Sequence, residues 1–189
     1  MLNFQKLNIE SFVKELKRAY HRNYSDIEPG FGNFIAWSGR LALENIANTD
    51  ALYHNLNHTV MVTLAGQAIL EGKHLCEGGI TPLDWLHSLI ALLCHDIGYV
   101  KGVCKKDTDI RFATGVGDET VEVPEDGTDV VLTPYHVDRS KLFVRERFGG
   151  KLINGFERII DVEIIASYIE MTRFPVPDDE KHQDTKGYA

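Results

Sequence analysis

A chain of 189 residues is long enough to bury one substantial core and gives no reason to expect a second domain. Its formal net charge of −8 excludes a general nucleic-acid binder, which needs a concentrated basic surface to meet phosphates. No long apolar run and no basic-then-apolar leader stands in the sequence, and the three cysteines, Cys76, Cys94 and Cys104, lack a C-x-x-C spacing. They read as reduced thiols, and the expected protein is cytoplasmic, without a membrane partner.

In chain order, Ile9, Phe12, Val13, Leu16 and Tyr20 recur at helical spacing and predict a helix over about 8–22. The run Glu28-Pro29-Gly30-Phe31-Gly32 breaks it, and a second helix is expected over about 33–47. After a turn at Asn48-Thr49-Asp50 comes Tyr53-His54-Asn55-Leu56-Asn57-His58. There His54 and His58, four residues apart, are expected to share a helix face. That helix is expected to run to about Leu75 on a core face of Val60, Val62, Leu64, Ala65, Ala68 and Ile69, and to close at Gly78-Gly79. Thr81 as N-cap, Pro82 at the first position and Asp84 in the first turn open the next helix. It carries the apolar run Leu89 to Cys94 into His95-Asp96, with Gly98 placed to end it.

From about 100 to 133 the helical rhythm stops. Thr120–Val123 and Val130–Leu132 flank Pro124-Glu125-Asp126-Gly127 and predict a short β-hairpin within a long loop, which serves either as a lid or as a surface excursion. Thr133-Pro134 is expected to restart a helix through His136 and Arg139 to Gly149-Gly150, and a last helix is expected over about 154–173 before Pro175 and Pro177. Asp178 to Ala189 is a polar tail. The expected fold is therefore one all-α domain over 1–189, with its core over about 30–175.

The chemistry concentrates at two segments. A carboxylate at the end of an apolar helix is costly to bury unless something pairs with it, and a metal ion is one such partner. His54, His58, His95 and Asp96 offer three imidazoles and a carboxylate, a set suited to Zn, Fe, Mn or a similar divalent ion. The pattern H…HD, here His58 and His95-Asp96, resembles the HD superfamily of metal-dependent phosphohydrolases. The segment Tyr-His-Asn-x-x-His-x-x-x-Val is similar to the signature of the cyclic-nucleotide phosphodiesterases within it.

The resemblance implies an HD-type helical bundle that holds a divalent metal (Mn, Fe, Mg, Zn or Ni) on His58, His95 and Asp96. It implies His54 as proton donor, Asn55 as a brace, and a small phosphorylated or nucleotide-like substrate. His136 is expected to meet a second metal or a substrate phosphate, with Arg139 as helper. Lys101, Lys105, Lys106 and Arg111 are further cations for an anionic substrate, or a solvated loop face. Tyr99 stands where the phosphodiesterase pattern has a second histidine (H-D-x-x-H). For the late aspartate that closes the family's metal shell, Asp161 is the nearest carboxylate in an apolar setting, and Asp184 lies in the tail; a helix-start role for Asp161 is the simpler reading. The chain is thus expected to be shorter than the family module. Two alternatives remain open at this stage, a nucleotide sensor without turnover and an HD-type di-iron oxygenase. The sequence leaves the oligomeric state open.

Overall fold

A computed structural model of the chain describes residues 4–124, 126–150 and 160–175. Six α-helices dominate them: α1 (Phe4–Tyr24), α2 (Pro29–Ile46), α3 (Leu56–Glu77), α4 (Pro82–Cys94), α5 (His136–Phe148) and α6 (Val162–Glu170). A two-stranded antiparallel hairpin, β1 (Arg111–Ala113) with β2 (Thr120–Glu122), is the β structure among the described residues. The fold is all-α with a small β insert, as the sequence predicts. No helix among the described residues is long and apolar enough to cross a membrane.

The helix α4 is apolar around most of its circumference, so it has to lie inside. Trp85, Leu86, Leu89, Ile90, Leu93 and Cys94 are all buried, and α2, α3 and α6 pack around it. Its start follows the sequence signal. Thr81 accepts from the Asp84 backbone N–H at 3.1 Å while the Asp84 carboxylate accepts from Thr81, a reciprocal capping box. Cys94 is a core residue whose thiol burial pushes up to about 12, which keeps it protonated. The helix α1 joins the same core through Val13, Leu16 and Tyr20, so the core reaches further toward the N-terminus than position 30.

Several expectations need correction. The second helix begins at Pro29, because proline at the first position loses no hydrogen bond there. The hairpin lies earlier than predicted, with Arg111 opposite Glu122, Phe112 opposite Val121 and Ala113 opposite Thr120. Val130-Val131-Leu132 instead falls in a 3₁₀ turn, Asp129–Tyr135, where Leu132 alone of the three is buried. The anchor of that turn is Asp129, whose Oδ2 accepts from Thr49 Oγ1 at 2.6 Å and from the Asp50 N–H at 3.1 Å. Thr133-Pro134 does not cap α5, which begins at His136 after Tyr135 with no side-chain cap. The last helix is described from Val162. Residues 151–159, the tail 176–189 and the expectations for Pro177 and Asp184 lie outside the described residues.

Gly98 does a different job from the one expected. It does not take the left-handed conformation of a helix stop; it lies in a 3₁₀ turn, Ile97–Tyr99, pressed against the start of α5. A Cβ there would stand 2.0 Å from the His136 carbonyl oxygen and 2.8 Å from the Ser140 nitrogen. The Gly98 N–H donates to Ser140 Oγ at 2.9 Å, and its carbonyl accepts from Arg139 Nε at 2.6 Å. Gly98→Ala should therefore destabilise the protein by about 1–3 kcal/mol, the usual cost of overpacking, which denaturant titration would measure.

Candidate metal centre

The four residues singled out in the sequence come together, on three different local supports. His54 is not helical: it lies in the connection before α3, which the Asp129 bonds to Thr49 and Asp50 tie to the 3₁₀ turn ahead of His136. Asn55 is the N-cap of α3, with its side-chain oxygen accepting from the Asn57 and His58 N–H groups at 3.0 and 3.2 Å. The expected brace is thus a helix cap that fixes the backbone of His58. Asparagine favours this position, so the helix starts between the two histidines and they do not share a helical face.

His95 and Asp96 sit where α4 ends. The His95 Nδ1–H donates to the Leu92 carbonyl at 2.8 Å, and the His95 carbonyl accepts from Ser140 Oγ at 2.7 Å. These contacts orient the ring and fix the tautomer, because a carbonyl can only accept. A neutral His95 then presents a lone pair at Nε2.

One oxygen is the focus of the site. Asp96 Oδ2 lies 2.8 Å from His54 Nδ1, 3.1 Å from His95 Nε2 and 3.3 Å from His58 Nε2. His54, His58 and Asp96 each offer a ligand atom within 4.8 Å of the others, a group that could hold a metal ion. Burial acts to raise the Asp96 carboxyl, but the His95 and His54 contacts outweigh it and hold it down at about 2. For His95 burial acts downward, yet the adjoining carboxylate leaves it raised. His58 is lowered by burial, only partly offset by Asp96.

Tyr99 and His136 extend the cluster. The Tyr99 ring stacks at 4.5 Å on both His54 and His136, with interplanar angles of 16° and 19°. The two imidazole centroids are 6.0 Å apart. A phenol sandwiched between them would hold them at least about 7 Å apart, given the ~3.5 Å thickness of a stacked contact. Both imidazoles therefore lie over one face of Tyr99, offset to opposite sides. The His136 Nδ1–H donates to the Thr133 carbonyl at 2.6 Å, and the Thr133 side chain also hydrogen-bonds the Tyr99 hydroxyl. Burial lowers the pKa of His136, more than the Thr133 carbonyl and Asp96 raise it. In sequence, Tyr99 is visible only as a missing histidine, and Thr133 only as a helix start. No signal pointed to Ser140.

Three expected substrate or metal contacts are elsewhere. Arg139 has a relative exposure of 0% and is not a phosphate contact. Its Nε donates to Gly98 O, Nη1 to Ala113 O and Asp107 Oδ1, and Nη2 to Val100 O and Asp107 Oδ2. All five donors are used in holding the insert against α5, because a buried guanidinium must satisfy each N–H. Lys101 is turned to the insert, where its ammonium donates to Gly127 O beside Asp129. Asp161 caps α6, accepting from the Glu163 and Ile164 N–H groups at 2.9 and 3.3 Å, so the helix-start reading holds. Of the loop cations, Lys106 pairs with Asp118 and Arg111 with Glu122, on the exposed loop face.

The chain belongs to the Npun_R2479-like family, whose model matches residues 2–189. No curated protein and no solved structure gives a significant match.

Proposed function

We propose that this member of the Npun_R2479-like family is a metal-dependent phosphohydrolase of HD type, acting on a phosphoester or phosphoanhydride of a small, nucleotide-like substrate. The observation that carries the reading is the convergence of three imidazole nitrogens on Asp96 Oδ2. With Nδ1 of His95 committed to Leu92, a neutral His95 would set lone pair against lone pair across 3.1 Å. Either an extra proton or a cation has to lie there. Donor atoms on one ion, at bond lengths near ~2.1 Å, stand roughly 3.0–3.4 Å apart. The separations of His95 and His58 from Asp96 Oδ2, 3.1 and 3.3 Å, suit that arrangement, while the shorter 2.8 Å to His54 is a hydrogen bond.

In this reading His58, His95 and Asp96 hold a divalent ion, which when bound supplies Lewis acidity toward a phosphoryl oxygen and toward water. His54 keeps Nδ1–H on Asp96 and Tyr99 against its ring; as an imidazolium it would carry a second proton on Nε2, give that proton to the leaving oxygen and remain the neutral Nδ1–H tautomer. His136, with Nδ1 fixed by Thr133, offers Nε2 to the substrate or to a second ion.

The test is hydrolysis of bis(p-nitrophenyl) phosphate and a panel of nucleotides by protein loaded in turn with Mn, Fe, Mg, Zn and Ni. Phosphoester cleavage that disappears in a metal-replete His54→Ala variant is the expected result. Loss of metal in that variant would make His54 a ligand instead. The full spending of Arg139 on the fold favours a second reading, a nucleotide sensor without turnover. A nucleotide that raises Tm with no product formed on fully loaded protein would select it.

A further inference from the structure

The helix α3 is inverted over much of its length. Its fully buried residues are polar, Thr59, Thr63 and Gln67, and of the expected core positions Val60 packs on the core while Leu64, Ala65, Ala68 and Ile69 face outward. The inversion is stable because the buried hydroxyls return to the helix: Thr59 Oγ1 donates to Asn55 O and Thr63 Oγ1 to Thr59 O. On the outer side Met61, Ile69 and Leu75 are 66%, 71% and 74% exposed, with Leu64 beside them. At 3.6 residues per turn these four and the exposed Ala65, Ala68 and Gly72 fall within an arc of about 140°, over a length of about 21 Å. No charged residue lies in that arc; Glu71 and Lys73 flank it.

A second apolar ridge runs alongside. Ile164 and Tyr168 of α6 share one face with Met171 at its C-cap, and all three are exposed. Between the ridges is an open groove, floored by Ala91 and Leu92 of α4 and walled by Gly66 and Leu70 on one side and Tyr168 on the other. Six aliphatic residues and one tyrosine take the low end, ~150 Å², of the range for large side chains, so the exposed parts of the two ridges amount to roughly 550 Å². That is at the upper end of the ~300–600 Å² of the largest patch on a typical monomer and supplies most of the ~800 Å² that each partner gives to a standard interface.

We propose that this face joins two copies of the chain across a two-fold axis, with the α3 ridge of each protomer seated in the groove between α3 and α6 of its partner. A ridge beside a groove on one surface is self-complementary, as an isologous contact requires. The sequence of α3 suits an antiparallel crossing. Ala65, Ala68 and Gly72 lie at its middle, where small residues let two helices approach, and a Cβ at Gly72 would meet nothing within the chain. Met61 and Leu75 stand near the two ends of the stripe, so the antiparallel pairing brings each against the other in the partner.

Light scattering on the size-separated full chain tests this. The wild type is expected at twice the chain mass of 21.3 kDa, and Ile69→Glu and Leu75→Lys at the mass of one chain with unchanged helical circular dichroism. Ile27→Glu, at an exposed apolar position between α1 and α2, is expected to stay at two. A single-chain mass for the wild type at tens of micromolar would overturn the proposal and leave the face to another segment of the chain or to a different protein. So would a dimer that survives both α3 substitutions.

Discussion

Protein purified without chelator should carry about one or two equivalents of a divalent first-row metal per chain, and Asp96→Ala should carry essentially none. The expectation follows from where Asp96 sits. Its Oδ2 is the point toward which His54, His58 and His95 all turn, and replacing it leaves three imidazoles without the anion that balances a dication. Loss of such a residue should cost more than the ~10–100-fold typical of outer hydrogen-bond partners. Ser140→Ala supplies that milder case: its hydroxyl holds the His95 carbonyl without touching the centre, so a reduction in metal affinity of about 10–100-fold is expected there. Both variants should keep their helical circular dichroism, since α4 is held by its apolar residues. Metal uptake should also release protons, because His95, raised by the adjoining Asp96, must present a bare Nε2. Affinity measured by competition with a chelator should therefore fall as pH is lowered. Plasma mass spectrometry that found no metal in reloaded wild-type protein would remove the centre, and the phosphohydrolase reading with it.

How legible this was in the sequence varies with how local the cause is. The capping box at Thr81 and Asp84 and the breadth of apolar positions in α4 are local, and both gave the right helix. His95 and Asp96 are legible because an imidazole and a carboxylate are out of place at the end of an apolar run, and His54 and His58 through their four-residue spacing. The start of α3 was misjudged by one competing signal, the capping preference of Asn55, which outweighs the four-residue spacing of the histidines. The orientation of α3 was invisible. Its apolar residues occupy both sides, and only the return of Thr59 and Thr63 to their own helix decides which side is inside. Arg139 was misread for a related reason. An arginine three residues from a site histidine looks functional, and its true partners, Asp107 and three carbonyls, are distant in sequence. Tyr99 is only a missing histidine in the motif, and in the fold it is the surface on which two histidines rest.

The reassignment of Arg139 carries the second large effect. Asp107→Ala should destabilise the protein by about 3–5 kcal/mol, the cost of stripping the partner from a buried charge. Both side chains of this pair are fully buried, and the guanidinium meets the carboxylate through two contacts, at 3.1 and 2.9 Å. The Asp107 carboxylate also accepts from the Cys104 and Ala113 N–H groups, so its removal orphans backbone donors as well. Against a typical total stability of about 5–15 kcal/mol, that is a large share. Arg139→Lys should be nearly as damaging, because three ammonium donors cannot replace five held in a plane. The double variant Asp107→Ala with Arg139→Met should lose less than the sum of the two single changes, since the second change no longer strands a partner. A phosphate-contact role predicts a different outcome, a raised KM with stability untouched. Denaturant titration beside substrate kinetics separates the two. The structural role also predicts some passage of the damage into the site: Arg139 Nε holds the carbonyl of Gly98, two residues beyond Asp96 and directly before Tyr99. Loosening that bond frees the turn that sets the Tyr99 ring under His54 and His136.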